Sequence, residues 1–298
     1  MLFKKEKYTE ASAKFDLSAE IQIDPVYHAR AVFWKAESQY RLENYEVALE
    51  TYKKFGDLPG AREIEEYDFY LYQIAYAFFQ LGDYNQAGGH FNEFIERGGE
   101  EELIADSYLR LGDSYFALSN YFKAIPAYQK VIEANEKDID YAQLQIAFCQ
   151  GFMGQNDDKV SSLTDFTQVN LKSPLRDDAF YELGNTYVKM NETDKALDAY
   201  DKVITNYKMS SLVPNALLKQ GLVYFNRDQA EQALSKYKEV ITRYPGTDES
   251  KEAVANAKQI YMDLGRVDQY ETFIKNVDFM TVGDDEIETA MYASACLL

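Results

Sequence analysis

The chain has 298 residues, with 31 lysines and arginines against 50 aspartates and glutamates, so its formal net charge is −19. This charge repels phosphate backbones and anionic lipid headgroups, and we therefore expect no binding to nucleic acid. The longest apolar stretch, residues 74–79, is far too short to span a bilayer, so we expect no direct insertion into a membrane. A basic protein partner is compatible with the charge.

Along the chain, a small residue recurs at nearly constant spacing. The series is Ala36, Ala75, Gly112, Ala147, Gly184, Gly221 and, in the last place, Lys258. A second small-residue series follows the first by about twelve positions, and an aromatic residue follows most of its members by four. Its members are Ala48, Ala87, Ala124, Val160, Ala196, Ala233 and Tyr270, with aromatics at Tyr52, Phe91, Tyr128, Tyr200 and Tyr237. Steps of 35 to 39 residues indicate an internal repeat.

This pattern predicts a pair of antiparallel helices in each repeat. Two helices approach closely only where the side chains at their crossing are small, which explains the glycine or alanine in both series. Apolar residues recur three and four positions apart within each segment, which is the period of an amphipathic helix. One hairpin cannot bury its apolar face alone, so neighbouring hairpins must stack and share a core. We expect Gly112 and Gly184 to lie at close helix crossings.

The repeated residues resemble the tetratricopeptide-repeat (TPR) family. The best match to the family's pattern is Leu217, Gly221, Tyr224, Ala233, Tyr237 and Pro245. The resemblance implies an all-α fold, a right-handed α–α superhelix that forms one solenoid over residues 1–298 with about seven repeats. The expected repeats are 26–57, 64–99, 102–135, 138–172, 174–208, 211–245 and 248–277, with half-repeats at 1–24 and 278–298.

Each end of the sequence lacks half of a hairpin. Residues 8–18 match a second helix without a first, and residues 286–298 match a first helix without a second. The sequence therefore reads as a fragment of a longer repeat protein. Because a first helix that lacks its partner can pack on an unpartnered second helix, we expect end-to-end self-association of this fragment.

Local signals mark several helix ends. Gly98 and Gly99, followed by three glutamates, predict the end of one helix and the start of the next. The prolines that follow Asp24 and Ser173 each predict a helix start. Pro126 falls inside a second helix, where it lacks an amide donor, and predicts a kink or a delayed start.

No catalytic, metal or cofactor site is expected. His28 and His90 lie in different repeats, and the chain has no His-x3-His or Cys-x2-Cys spacing. Cys149 and Cys296 are far apart, and each lies in an apolar helical pattern that is typical of an inert buried thiol. We therefore expect that the protein is not an enzyme.

Candidate binding residues follow from the resemblance, because positions two, five, nine and twelve of the first helix line the concave groove of TPR proteins. These candidates are Arg30, Phe33, Tyr40, Tyr72, Tyr76, Phe79, Asp106, Leu109, Asp113, Phe116, Tyr181 and Asn185. Aromatic side chains are common interface anchors, and the aspartates favour a basic protein or peptide segment. A tight superhelix could instead bury Tyr72, Tyr76 and Tyr181 against neighbouring first helices, and this alternative stays open.

Two further functions were weighed. Some TPR domains bind C-terminal carboxylates of chaperones through basic residues and asparagine, but here aspartates occupy such positions and only Asn185 matches. The motif at residues 244–247 resembles repeats of periplasmic Tol–Pal-associated proteins and outer-membrane assembly lipoproteins of bacteria. It implies an alternative function as a structural component of the cell envelope that acts through its ends or convex face. The compartment stays open, with the periplasm or envelope favoured over the cytoplasm.

Overall fold

The computed structural model describes residues 2–134 and 137–279, and within them the chain forms fifteen α-helices and no β-strand. The helices are α1 (Tyr8–Ala19), α2 (Pro25–Arg41), α3 (Tyr45–Gly56), α4 (Tyr70–Gln80), α5 (Tyr84–Arg97), α6 (Glu101–Ala117), α7 (Tyr121–Ala134), α8 (Ile139–Phe152), α9 (Asn156–Val169), α10 (Arg176–Lys189), α11 (Thr193–Asn206), α12 (Val213–Phe225), α13 (Ala230–Arg243), α14 (Asp248–Asp263) and α15 (Val267–Ile274). The all-α fold expected from the repeat is confirmed for these residues.

The chain divides into two compact units, residues 1–155 with α1–α8 and residues 156–298 with α9–α15. In the first unit each helix packs on the next one in the chain, from α1 to α8. In the second unit the same succession runs from α9 to α15, and α12 also contacts α14. The even-numbered helices α2–α14 are the first helices of the predicted hairpins. The predicted fourth repeat, 138–172, contributes α8 to the first unit and α9 to the second.

The glycines of the repeat lie where a tyrosine ring crosses the first helix. A Cβ atom added at Gly112 would lie 2.6 Å from Cε1 of Tyr128, and one added at Gly184 would lie 2.4 Å from Cε1 of Tyr200. Gly221 has the same relation to Tyr237 of its own hairpin. No side chain fits between the glycine and the ring, so the backbone of the first helix rests against the ring. The predicted close crossings at Gly112 and Gly184 are confirmed.

The last hairpin replaces this crossing with a different one. Lys258 of α14 stands in the glycine's place, and its Nζ lies 5.8 Å from the ring centre of Tyr270 on α15. Tyr270 and Ile274 are both buried, at 2% and 4% exposure. In this hairpin the tyrosine therefore lies four residues, about one helical turn, before the position that it holds in the other hairpins. The aliphatic Ile274 occupies that position here. This exchange accounts for a long side chain at residue 258.

Two of the predicted helix ends are confirmed by their cap geometry. Gly98 has a φ of 79° between α5 and α6, a left-handed conformation that glycine adopts without strain. Oδ1 of Asp24 accepts hydrogen bonds from the amides of Val26 and Tyr27, at 2.8 and 3.2 Å, as α2 begins at Pro25. Both devices satisfy polar backbone groups that the helix itself leaves unpaired.

The predicted helix start at Pro174 is wrong, and so is the delayed start at Pro126, where the predicted kink stays a prediction. Helix α10 begins two residues after Pro174, because the Leu175 amide donates to the hydroxyl of Ser173 in a turn that precedes the helix. Helix α7 runs through Pro126 and its start is not delayed. Proline removes the donor for the carbonyl of Phe122, a residue that is 79% exposed, so water can hydrate that carbonyl.

The described part of the chain includes one of the two cysteines and one of the two half-repeats. Cys149 is buried, and burial raises the pKa of its thiol to about 12, as expected of an inert core residue. Helix α1, the expected second helix of the N-terminal half-repeat, packs on α2. Cys296 and the expected C-terminal half-repeat, from residue 280 onward, lie outside the described residues.

We expect Gly112→Leu to lower the free energy of unfolding by about 1–3 kcal/mol, because the new side chain must displace the Tyr128 ring. Gly89→Leu is the matched control, since Gly89 lies inside α5 and nothing is within 4 Å of an added Cβ atom. That substitution should raise stability by up to about 1 kcal/mol through helix propensity. Urea unfolding followed by circular dichroism measures both changes. Equal effects would contradict the close crossing.

In a Cys296→Ser chain at mildly alkaline pH, Cys149 should react with Ellman's reagent about 100-fold or more slowly in the folded state than in guanidinium chloride. The reason is that burial both blocks access and keeps the thiol protonated. The absorbance of released thionitrobenzoate reports the rate. Reaction of the folded chain at the denatured rate would show that Cys149 is accessible.

Candidate functional site

The predicted binding residues fall into three groups by exposure. Phe33 and Leu109 are buried, at 0% and 2% exposure, so they belong to the core and offer no surface to a ligand. Arg30 is exposed. The other nine are partly buried: Tyr40, Tyr72, Tyr76, Phe79, Asp106, Asp113, Phe116, Tyr181 and Asn185. Tyr181 and Asn185 belong to the second unit and the other ten to the first.

Two tyrosines of α4 converge on one carboxylate of α6. The hydroxyls of Tyr72 and Tyr76 donate to the same oxygen, Oδ2 of Asp106, at 2.8 and 2.5 Å. They can do so because residues four apart lie on one face of a helix. Burial raises the pKa of both tyrosines, and the Asp106 carboxylate raises it further, so both hydroxyls remain protonated donors. Asp106 thereby joins two successive first helices.

A second carboxylate extends these contacts to α7 and α8. Arg110 donates from Nη1 to Oδ2 of Asp113 at 2.7 Å and from Nε to the Tyr76 hydroxyl at 3.1 Å. Tyr128 and Tyr141 donate to Oδ1 of Asp113 at 2.9 and 3.1 Å. Burial raises the pKa of the Asp113 carboxyl, although Arg110 and both tyrosines act to lower it. We call this set the tyrosine–carboxylate network: Tyr72, Tyr76, Asp106, Arg110, Asp113, Tyr128 and Tyr141.

Part of this network was predicted from the sequence. Tyr72, Tyr76 and both aspartates follow from their positions in the repeat. Arg110 was not predicted, although an arginine four residues after one aspartate and three before another is placed to pair with both. Tyr141 was missed because the fourth repeat departs from the family pattern, so its register was less certain.

Three aromatic side chains meet at the other end of α6. The ring of Phe116 meets those of Tyr121 and Phe152 edge-on, with centres 5.5 and 5.7 Å apart. Tyr121 and Phe152 stack on each other, with centres 5.0 Å apart and ring planes 11° apart. Phe152 is 64% exposed. We call these three residues the aromatic patch. The sequence analysis selected Phe116 but not its two partners.

A cavity of about 220 Å³ lies beside Asp106, toward the start of α6. Tyr72 and Leu109 form part of its wall, and the carboxylates of Glu102, Asp106 and Asp138 also line it. Lys137 lines it as well and makes an ion pair with Glu102, in which the lysine and glutamate side chains are 74% and 64% exposed. We call the cavity with its three carboxylates the carboxylate pocket. Arg110 also lies 3.7 Å from Asp106, so three carboxylates face two cations, and the remaining negative charge favours a cationic group.

Two of the predicted residues also have a structural task within their own hairpins. In three hairpins the second-helix tyrosine donates its hydroxyl to a first-helix residue fifteen positions earlier. The pairs are Tyr52 with Glu37, Tyr128 with Asp113, and Tyr200 with Asn185. In each pair the acceptor directly follows the small residue of the crossing. Asp113 and Asn185 therefore hold the hairpin together, whatever else they contact.

The remaining predicted residues of the first unit lie in other surroundings. Nε of Arg30 is 3.5 Å from Oε1 of Glu66, which also accepts a hydrogen bond from the indole of Trp34 at 2.9 Å. The ring of Tyr40 packs edge-on against that of Tyr45, with centres 5.3 Å apart. No hydrogen bond of these residues to the tyrosine–carboxylate network is found among the described contacts, so Arg30 and Tyr40 form separate local clusters.

In the second unit, Asn185 donates a hydrogen bond to a buried ion pair that was not predicted from the sequence. Nζ of Lys159 donates to Oε2 of Glu182 at 2.6 Å, and only 6% of the lysine side chain is exposed. The amide of Asn185 donates to Oε1 of the same glutamate at 2.9 Å. The ring of Tyr181 lies 5.8 Å from that of Tyr200. A buried lysine that is paired in this way is a structural element, since loss of either partner would leave an uncompensated charge.

Two classes of site were also searched for in residues 2–134 and 137–279. In that part of the chain no three histidine, cysteine, aspartate or glutamate side chains form a group that could hold a metal ion. Among the same residues no helix is both long and apolar enough to cross a bilayer.

Stacked helical hairpins that cross at small residues define the class of α-helical repeat proteins called solenoids. Models of the tetratricopeptide repeat match residues 72–139, 178–208 and 215–247. Residues 72–139, 178–208 and 215–247 therefore carry tetratricopeptide repeats. No curated protein sequence matches it.

Several solved TPR structures are similar to this chain. The C-terminal part of a TPR repeat-containing protein from Cytophaga hutchinsonii aligns with a TM-score of 0.67 and 15% identity, over 85% of this chain and 96% of that one. A tetratricopeptide repeat protein from Parabacteroides merdae aligns with a TM-score of 0.54 and 18% identity, over 86% and 94%. YrrB, described as a TPR protein with an unusual peptide-binding site, aligns with a TM-score of 0.50 and 26% identity, over 63% and 91%. The bacterial species fit the expected bacterial origin.

We expect Glu37→Gln to raise the melting temperature at neutral pH by about 2 °C. Burial raises the pKa of the Glu37 carboxyl in the folded state, so the native protein binds that proton more tightly than the unfolded chain does. The resulting stability is present below the unfolded pKa and is lost as the pH rises through the folded pKa. Glutamine keeps an acceptor for Tyr52 without the buried charge.

The gain from Glu37→Gln should shrink as the pH is lowered toward 4, where glutamate itself becomes protonated. Glu50→Gln, on the exposed side of α3, is the control and should change stability by less than about 0.5 kcal/mol. Differential scanning calorimetry across this pH range measures both variants. A destabilised Glu37→Gln protein at neutral pH would mean that the charged carboxylate is needed.

Proposed function

We propose that this protein is an interaction scaffold that binds a protein or peptide segment on the first-helix face of α4, α6 and α8. The observation that carries the proposal is the convergence of Tyr72 and Tyr76 on Asp106 beside a cavity. Phe116 lies on the same stripe of α6, ten residues after Asp106 and three residues after Asp113. Rigid aromatic side chains next to a carboxylate are effective anchors for a bound segment.

The hydrogen bonds of the network favour binding at this face because they hold its side chains in place before a partner arrives. Tyr76 donates to Asp106 and accepts from Arg110, which is itself bound to Asp113. Side chains that are already ordered lose little conformational entropy on binding, so more of the contact energy appears as affinity.

The similarity to YrrB supports a peptide as the bound segment. YrrB is described as having an unusual peptide-binding site, and it is 26% identical to this chain over 63% of this chain and 91% of YrrB. We infer that this chain likewise takes a peptide or an extended segment of a protein, and that it is not a nucleic-acid-binding protein or an enzyme. The three carboxylates of the pocket beside the tyrosines give the surface an acidic character that suits a basic segment.

The two aspartates of the network contribute differently to that acidic character. Asp113 is 11% exposed and is occupied by Arg110 and two tyrosines, so it is not available to a partner. Asp106 is 26% exposed, and its Oδ1 lies 3.7 Å from Nε of Arg110, beyond hydrogen-bond distance. We therefore assign the attraction of a basic segment to Asp106 and to the carboxylate pocket.

The alternative function, a structural component of the cell envelope, uses other surfaces. In that case contacts would form through the ends of the solenoid, by end-to-end self-association, or through the second helices. Substitutions on α4 and α6 would then leave partner recovery unchanged. Analytical ultracentrifugation at rising concentration, before and after deletion of residues 279–298, tests the self-association by itself.

We expect the double substitution Tyr76→Ala with Phe116→Ala to reduce partner recovery at least about tenfold, because both anchors of the face are lost. The tagged full chain is crosslinked in cells of its host, and recovered partners are quantified by mass spectrometry. Recovery should also fall as salt is raised, since partly exposed charges are screened.

Phe122→Ala is the matched control for this experiment. Phe122 is an aromatic residue of the first unit that is 79% exposed on the second helix α7, so its removal tests for nonspecific hydrophobic capture. Each variant must keep the helical circular-dichroism spectrum of the wild type. Recovery that is unchanged by the double substitution but lost in Phe122→Ala would place the site on the second helices.

A further inference from the structure

The aromatic patch and the carboxylate pocket lie on the same stripe of α6. Asp106 lines the pocket and Phe116 belongs to the patch, ten residues further along the helix. With a rise of 1.5 Å per residue, ten residues separate the two by roughly 15 Å along the axis. Both features lie within the first unit, so their separation is set by a single helix.

The patch is partly open to solvent, chiefly at Phe152, because Phe116 and Tyr121 are partly buried. Phe152 is 64% exposed, and its neighbour in sequence, Met153, is 38% exposed. Leu118, which follows the last turn of α6, is 47% exposed. Contiguous exposed apolar side chains of this kind mark interaction surfaces more often than isolated ones do. The Phe152 ring, which stacks on Tyr121 with one face and is 64% exposed, offers its remaining surface to an aromatic or aliphatic side chain.

The pocket at the other end has a cation of its own at its edge. Lys137 pairs with Glu102, and the two side chains are largely exposed. Exposed ion pairs of this type contribute little stability, so a cation from a partner can replace the lysine at small cost. Asp106 and Asp138 remain as two further carboxylates for the incoming group.

We propose that the partner segment is an extended peptide with two anchors, a lysine or arginine in the carboxylate pocket and an aromatic or large aliphatic residue on the aromatic patch. This inference rests on the proposed function and specifies the chemistry of its partner. An extended chain advances about 3.3 Å per residue, so roughly 15 Å corresponds to anchors about four or five residues apart. The charge of −19 on the protein favours a basic segment over an acidic one.

The test begins with a display library of random 16-residue peptides selected against the full chain. The enriched peptides should share a basic and an aromatic or aliphatic residue at the expected spacing. A fluorescein-labelled copy of the strongest peptide is then titrated with each variant, and fluorescence anisotropy gives its dissociation constant. Insertion of three glycines between the two anchors of that peptide should weaken binding about tenfold or more, because the anchors can no longer be used together without cost.

Three variants of the protein test the two anchors in opposite directions. Phe152→Ala should weaken binding about tenfold, since an aromatic anchor loses its platform. Glu102→Gln combined with Asp138→Asn should weaken it about fivefold, and asparagine suits the positive φ of 61° at residue 138. Lys137→Gln should instead tighten binding about threefold, because it removes the competing ammonium. Phe122→Ala should change nothing.

These outcomes separate the inference from the proposed function. If the peptides lose affinity with Tyr76→Ala but not with Phe152→Ala, the face binds peptides and the two-anchor arrangement is wrong. Enriched peptides without the paired residues, or a Lys137→Gln variant that binds more weakly, would also overturn it. If no peptide is enriched, or if none of these substitutions changes the dissociation constant, both the inference and the proposed function fail. Melting temperatures of all variants verify that each is folded.

Discussion

The structure depends on one close contact, the tyrosine ring that lies against the backbone of the first helix at a glycine. At Gly112, Gly184 and Gly221 an added Cβ atom would come within 2.6 Å of that ring. The ring is buried at each of these crossings, so it contributes apolar area to the core while its hydroxyl reaches the far side of the first helix. A buried hydroxyl must find an acceptor, since an unpaired one costs free energy. At Gly112 and Gly184 the residue that follows the glycine supplies this acceptor, whereas Leu222, which follows Gly221, does not.

That requirement joins the fold to the binding face. Where the second helix carries tyrosine, the residue after the small one is glutamate, aspartate or asparagine in three hairpins, and each accepts the hydroxyl. The second hairpin is different, because Phe91 has no hydroxyl and Tyr76 occupies the acceptor's place. Tyr76 is free of its own hairpin's polar requirement and donates to Asp106 of the next first helix. The hydrogen bond between Tyr76 of α4 and Asp106 of α6 thus forms in the hairpin whose second helix carries phenylalanine in place of tyrosine.

Much of the fold could be predicted from the sequence because it follows from spacing. The small residues mark each crossing, and the period of the repeat sets the order of the helices, so the all-α architecture and the close contacts at Gly112 and Gly184 were predictable. The exceptions are local. The start of α10 follows a serine–amide hydrogen bond, and α7 runs through Pro126 at a turn where Phe122 is exposed. Such features depend on hydration and side-chain geometry, about which the spacing of residues in the repeat carries no information.

The site was less predictable because position in a repeat specifies direction but not burial. Phe33 and Phe116 belong to the same predicted stripe of their first helices, at its fifth and twelfth positions, yet the first is fully buried, among the rings of Trp34, Phe55 and Phe69, while the second is partly exposed. The difference lies in what the neighbouring repeat contributes. Phe69 covers Phe33, whereas the degenerate fourth repeat places Phe152 beside Phe116 and leaves most of that added ring exposed. A departure from the repeat pattern, which weakens recognition in the sequence, therefore creates the exposed aromatic surface to which the partner's apolar anchor is assigned.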